Sequence, residues 1–367
     1  MKDEPPDNQS DWEKGTETPA LTPLGTPPEP PIRSREGDII HTSPELIVGE
    51  ADIRSAEMGA HEVPLAGTSL WKDAWRRLLK NKLAVFGMIV VAIVLLASII
   101  GPYIVERATG FSYDTIPQNM EITRAMPPFR DINGNFSALH PMGTDPSGRD
   151  LLARVLIGGR ISLMVGIIST LVSLLIGVTF GATSGYLGGR VDTVMMRIVD
   201  VLYALPYMMI VIVLLAFFGG KSPLGQLVLL FIALGAVSWL TMARIVRGQV
   251  ISLKNQEFVL AARATGVSTR RIIFRHLVPN TLGPVIVYAT LTIPQVMLQE
   301  AFLSFLGLGV QAPLASWGSL ASEGIQNIAI FPWQLIFPGV TMALTLFSLN
   351  FLGDGLRDAL DPQMRKT

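Results

Sequence analysis

Apolar and polar positions alternate along this chain in blocks far longer than any helical or strand period. Residues 83–105 are 23 consecutive uncharged side chains, and further charge-free runs occupy 161–189, 201–220, 222–243, 277–299 and 324–353. A hydrocarbon core about 30 Å thick is crossed by about 20 residues rising 1.5 Å each. The runs predict six membrane helices with cores at 84–104, 161–182, 203–219, 226–243, 283–305 and 333–352. One such run could be a buried soluble helix. Six in 367 residues leave almost no polar surface to cover them, so the expected class is an all-α polytopic membrane protein.

Lys and Arg near the run ends set the orientation. Arg76, Arg77, Lys80 and Lys82, then Arg190 and Arg197, then Arg244 to Arg275, and finally Arg357, Arg365 and Lys366 fall on one side. The other side receives Lys221 and the first loop, where Arg107, Arg124, Arg130, Arg149, Arg154 and Arg160 are partly offset by Asp114, Glu121, Asp131, Asp145 and Asp150. Both termini are therefore expected to be cytoplasmic. The chain divides into an extension, 1–70; a basic flank and first span, 71–105; an external loop, 106–160; five spans, 161–353, with a cytoplasmic segment at 253–280; and a tail, 354–367.

The extension carries ten of the 25 prolines and 14 Asp and Glu against five Lys and Arg. Burial cannot repay the ordering of such a segment, and disorder is expected over most of it. It lacks the basic and apolar regions of a secretory signal. It reads as an uncleaved cytoplasmic tail or as a regulatory, partner-binding one.

Between the fourth and fifth spans, EFVLAARATGVSTRRIIFRHLVPN at 257–280 is basic and helix-shaped, and cannot cross a bilayer. Phe258, Ala261, Ala262 and Thr265 share one face at i, i+3, i+4, i+7. Gly266 interrupts the pattern, Ser268 is a candidate N-cap, and Pro279 ends or kinks a second helix. Small residues on the first helix would let a partner surface approach closely.

This stretch resembles the loop of ABC-importer permeases that docks into the nucleotide-binding subunit. Ala261, Ala262, Gly266 and Pro279 stand at the spacing of that signature, while Leu260, His276 and Val278 depart from its Glu, Ile and Leu. RIIFRHLVPN at 271–280, HPMGTDPSGRDLLARVLIGGRISL at 140–163 and LSFLGLGVQAPLASWG at 303–318 resemble the peptide and nickel branch of the family. The resemblance implies the type I importer permease fold in a bacterial or archaeal inner membrane. It also implies coupling through Leu260, Ala261, Ala262, Arg263, Gly266, Arg270, Arg271, Arg275, His276 and Pro279 to two ATPase subunits that hold ATP and Mg. A homologous permease, an extracytoplasmic solute-binding protein and a dipeptide or oligopeptide cargo complete the implied system.

Other features are weighed beside it. Gly177, Gly181 and Gly185 recur every four residues as a small-residue ridge for close helix contact. Residues 150–160 suit an interfacial amphipathic helix. Pro206, Pro284 and Pro294 would bend the third and fifth spans. Glu300 is the lone carboxylate within a span, and either faces the pathway or is a structural group bonded to following backbone or an outer-loop arginine. Asp145 and Asp150 are too few for a metal site and read as caps and arginine partners.

With no cysteine, four scattered histidines and Gly220-Lys221-Ser222 lacking the first glycine of a phosphate loop, no self-contained catalytic or cofactor site is expected. A net charge of zero gives no support for nucleic-acid binding. An ion-coupled secondary transporter, or a membrane scaffold or receptor, are the rival readings.

Overall fold

A computed structural model describes residues 70–116, 125–131, 133–219 and 222–360. The expectations for the extension before Leu70, for Glu121, Arg124, Gly220 and Lys221, and for the tail from 361 lie outside the described residues. Among those described, regular structure is helical apart from two isolated bridges.

Five of the described helices are long and apolar enough to cross a membrane: α2 (Lys82–Thr109), α3 (Leu151–Leu187), α6 (Pro223–Leu253), α9 (Leu282–Phe305) and α11 (Trp333–Leu360). A sixth crossing exists only if α4 (Gly189–Ala204) and α5 (Tyr207–Phe218), which meet at 79°, make one broken span. Pro206, with no amide to donate, sits at that break. The bend expected at Pro206 is thus sharp enough to divide the expected core at 203–219, and the 12 residues of α5 alone are too short to cross. Pro284 and Pro294, by contrast, lie inside α9 without ending it.

Three of the spanning helices start where a side chain satisfies the first amides. Asn81 accepts from Leu83 N and Ala84 N at 3.1 and 3.2 Å for α2, and Asp150 from Ala153 N at 2.7 Å for α3. For α6, Ser222 accepts from Gly225 N at 3.0 Å and Pro223 takes the first position. The described residues also form the shorter helices α1 (Leu70–Lys80), α7 (Glu257–Ala264) and α10 (Trp317–Gln326). Between α7 and α9, the segment 269–280, labelled α8, joins Thr269–Arg271, a π-helical turn Ile272–Leu277 and Val278–Asn280.

The most extensive pairing is α3 against α6, and the glycine ridge explains it. A Cβ added at Gly177 would stand 2.6 Å from Met242 Cβ, and one at Gly185 2.8 Å from the Arg247 carbonyl oxygen. At Gly181 it would lie 3.0 Å from the Ala243 carbonyl carbon and closer still to its oxygen. Every fourth residue lacks a side chain on the face where α6 runs, so the two backbones touch. Gly235 of α6 returns the arrangement against Val172 and the Ser169 carbonyl.

Residues 150–160 do not form a separate surface helix. They are the first turns of α3, a single helix of 37 residues. Arg154 is 1% exposed, with its guanidinium held by Asp145 at 2.7 Å and by Glu323 of α10 at 2.7 and 3.0 Å. Its apolar neighbours pack with Trp317, whose indole N–H donates to the Val155 carbonyl at 2.9 Å. The amphipathic pattern faces α10 and the preceding loop instead of a bilayer surface. Most large side chains of α2, Ile93, Leu96 and Ile104 among them, are exposed and suited to lipid or to another helix.

Candidate functional site

The segment between α6 and α9 forms a compact two-helix unit at one end of the bundle. Its turn is built by Gly266, whose φ of 74° lies in the left-handed region. Gly266 N donates to the Arg263 carbonyl and Val267 N to the Ala262 carbonyl, both at 3.0 Å, which is the Schellman arrangement. A Cβ at Gly266 would meet nothing within 4 Å, so glycine is required there for its backbone freedom and not for space. Ser268 stands at the next helix start but makes no side-chain cap bond.

The inner face of the unit is apolar. Val259, Ala262, Ile272, Ile273 and Leu277 are buried together with Val246 and Val250 of α6, Ala182 of α3 and Val285 of α9. Here the expected placement of Ala262 is corrected. It is 6% exposed, turned with Val259 into the protein's own core at i, i+3, and so is not open to a partner, whereas Ala261 is exposed beside it. Polar ties add to the docking. Arg263 Nε donates to the Tyr186 hydroxyl at 3.2 Å with its guanidinium 4.9 Å from that ring's centroid. Lys254 Nζ donates at 3.1 Å to the Gly185 carbonyl in the last turn of α3.

Pro279 does not end the second helix. The helix widens to a π turn just before it, where Val278 N donates to the Ile273 carbonyl, and Asn280 Nδ2 donates to the His276 carbonyl at 2.6 Å. The chain then passes Thr281 into α9. Widening relieves the clash a proline ring makes with the preceding turn.

What the unit leaves outward is a mixed surface. Phe258, Leu260, Ala261 and Phe274 are exposed apolar groups. Arg270, Arg271 and Arg275 are exposed beside them with no carboxylate partner among the described residues, His276 is half-buried and Pro279 exposed. Apolar anchors rimmed by unpaired guanidinium groups are suited to another protein's surface.

Glu300 is 1% exposed on α9. Its Oε1 accepts from Ser304 Oγ at 2.6 Å and from Ser316 Oγ at 2.7 Å, and Ser316 is also the residue that caps α10. The partners are thus two serine hydroxyls, neither following backbone nor an outer-loop arginine. The carboxyl joins α9 to α10, and its Oε2 is buried without a hydrogen-bond partner among the described residues. Asp145 accepts from the amides of Ser147 and Arg149 and from both arginine side chains, while Asp150 meets His140 Nδ1 at 2.7 Å. No cluster that could hold a metal ion occurs among the described residues.

One pair escaped the sequence reading. Asp192 of α4 accepts from Arg247 at 2.6 Å through both oxygens and from Ser184 Oγ at 2.5 Å. It locks the start of α4 to α3 and α6. Nothing in the local sequence pointed to it, since Arg190, Arg197 and Asp200 stand nearby and Arg247 is 55 residues away.

Glycine-packed apolar spans, with a helical unit docked across three of them, define a polytopic membrane protein. The chain belongs to the family described as binding-protein-dependent transport system inner membrane component, whose model matches residues 177–366. Residues 69–128 match a model for the N-terminal TM domain of oligopeptide transport permease C. The oligopeptide transport system permease protein OppC of Escherichia coli K12 is 48% identical over 320 residues, 87% of this chain and 100% of that protein. The protein of the same description from Haemophilus influenzae is 48% identical over 304 residues, 83% and 92% of the two chains. The dipeptide transport system permease protein DppC of Bacillus subtilis is 44% identical over 308 residues, 84% and 90%.

Proposed function

We propose that this chain is one of two permease subunits of an ATP-driven importer of dipeptides or oligopeptides in a bacterial or archaeal plasma membrane. The observation that carries this reading is the outward face of 257–280, apolar and arginine-rimmed, in a chain 44–48% identical to oligopeptide and dipeptide permeases. Leu260, Ala261 and Phe274 seat in an ATPase subunit, with Arg270, Arg271 and Arg275 around them. ATP and Mg are held in two such partners, since this chain carries no phosphate loop. A homologous permease completes the pathway and an external solute-binding protein delivers cargo. Both termini are cytoplasmic, which places α10 outside and α7 inside; the Lys and Arg distribution supports this.

The test is reconstitution. The chain, its homologous permease, the ATPases and the binding protein are co-purified, placed in proteoliposomes, and assayed for peptide uptake and peptide-stimulated ATP hydrolysis. Uptake that requires ATP and the binding protein is expected. Assembly without peptide-stimulated hydrolysis refutes the transport reading, and labelling of residue 255 by an impermeant reagent from outside refutes the orientation.

A further inference from the structure

We infer that the recess bounded by α4, α5, α6 and α9 is this chain's share of the cargo wall, and that it pairs with the peptide backbone while ignoring side-chain charge. The inference rests on the peptide-importer reading above and assigns what that reading leaves open.

The recess has a volume of about 180 Å³. Tyr203 stands beside the α4–α5 break, Thr241 comes from α6, and Tyr288, Thr292, Gln295 and Gln299 come from α9. The four α9 residues are spaced 4, 3 and 4 apart and so form one stripe along a largely apolar helix. Gln295 is exposed and Gln299 half-buried, and neither makes a hydrogen bond to a described residue. Gln295 lies at the middle of a spanning helix, where an unpaired amide facing hydrocarbon is costly. The stripe therefore faces water or a polar partner, not lipid.

No Asp, Glu, Lys, Arg or His lines the recess among the described residues. Arg244 lies 4.1 Å from the Tyr203 ring centroid but is paired with Asp200 at 2.8 Å, so its charge is matched. Amide and hydroxyl groups each donate and accept. A peptide bond offers one donor and one acceptor whatever its side chains. The wall can thus pair with any short peptide, and without a fixed charge it traps none of them, as passage requires. The volume is below the roughly 300 Å³ at which small-molecule pockets begin, so the wall is completed by the second permease.

The experiment measures uptake of trialanine, triglutamate and trilysine by the full complex in proteoliposomes. Each variant's rate is divided by the wild-type rate for the same peptide, which removes the binding protein's own preference. Gln295→Glu is expected to slow triglutamate about tenfold more than trialanine, through like-charge repulsion in a partly dewatered wall. Gln295→Lys is expected to do the same to trilysine, and Gln295→Leu to slow all three by a common factor. Should the charged variants fail to assemble, Gln295→Leu decides: wild-type rates for all three peptides place the stripe against lipid or a helix and overturn the inference. Charged variants whose ratios are equal for the three peptides also overturn it. A wild-type complex that carries none of the peptides overturns the peptide-importer reading itself; carriage with charge-independent ratios in the Glu and Lys variants overturns only the present inference.

Discussion

Gly181→Ala and Gly248→Ala add the same methyl group to two spanning helices and should act in opposite directions. At Gly248 of α6 the added Cβ meets nothing within 4 Å. Alanine then contributes only its better helix propensity, about 0.8–1 kcal/mol over glycine. At Gly181 the new Cβ falls 3.0 Å from Ala243 Cα and carbonyl carbon, with the carbonyl oxygen nearer still. These are backbone atoms in mid-helix and cannot swing aside. Restoring ordinary contact moves α3 from α6 by roughly 0.5–1 Å, enough to forfeit a quarter to a half of the dispersion well along the pair. Overpacking of this kind costs about 1–3 kcal/mol, which exceeds the propensity gain. The assay is thermal unfolding of the purified, detergent-solubilised complex followed by peptide uptake. The expected result is a Tm lowered by a few degrees for Gly181→Ala and unchanged or raised for Gly248→Ala, with uptake reduced only in the first. Equal Tm values for the two variants would refute the close-packed ridge.

Four further outcomes are expected. Gly266→Val should cost about 1–2 kcal/mol, because a side chain disfavours left-handed φ, while Gly266→Asn, which tolerates that region, should be milder; recovery of the ATPases on co-purification reads the difference, and equal recovery would refute the turn argument. Ala262→Leu should lower the Tm by overpacking the protein's own core, whereas Ala261→Leu should leave Tm unchanged and alter only ATPase binding; a reversed pattern would show that Ala262 faces the partner. Arg154→Met should cost near the low end of about 3–5 kcal/mol, since Asp145 stays buried but keeps Arg149 and two amide donors. Glu323→Gln, at a half-exposed carboxylate, should cost under about 1 kcal/mol by the same thermal assay.

Run length alone located α2, α3, α6, α9 and α11, because a charge-free stretch of that size has few places to go but a membrane. Run length says nothing about where a helix extends beyond the hydrocarbon. That is why Leu151 to Arg160 read as a separate element: Asp145 was legible as an arginine partner, but Glu323, 169 residues from Arg154, was not. Pro206 announced a bend but not the 79° that divides α4 from α5. In the outward-facing unit, the turn at Gly266 was readable from local chemistry, since glycine and left-handed φ go together. Which alanine faced inward was not, because Ala261 and Ala262 differ only by 100° of helix and the choice is made by Val246, Val250 and Val285 on other elements. The Asp192–Arg247 pair, 55 residues apart, was hidden for the same reason.

The π turn and α7 are joined by chain to α6 and α9 alone, yet their buried face also rests on Ala182, and Lys254 and Arg263 grip the last turns of α3. A load applied to Leu260 or Phe274 is consequently not a tug on two ropes. It is a push on a keystone seated among three columns, and α3, which the segment never meets in sequence, bears part of it.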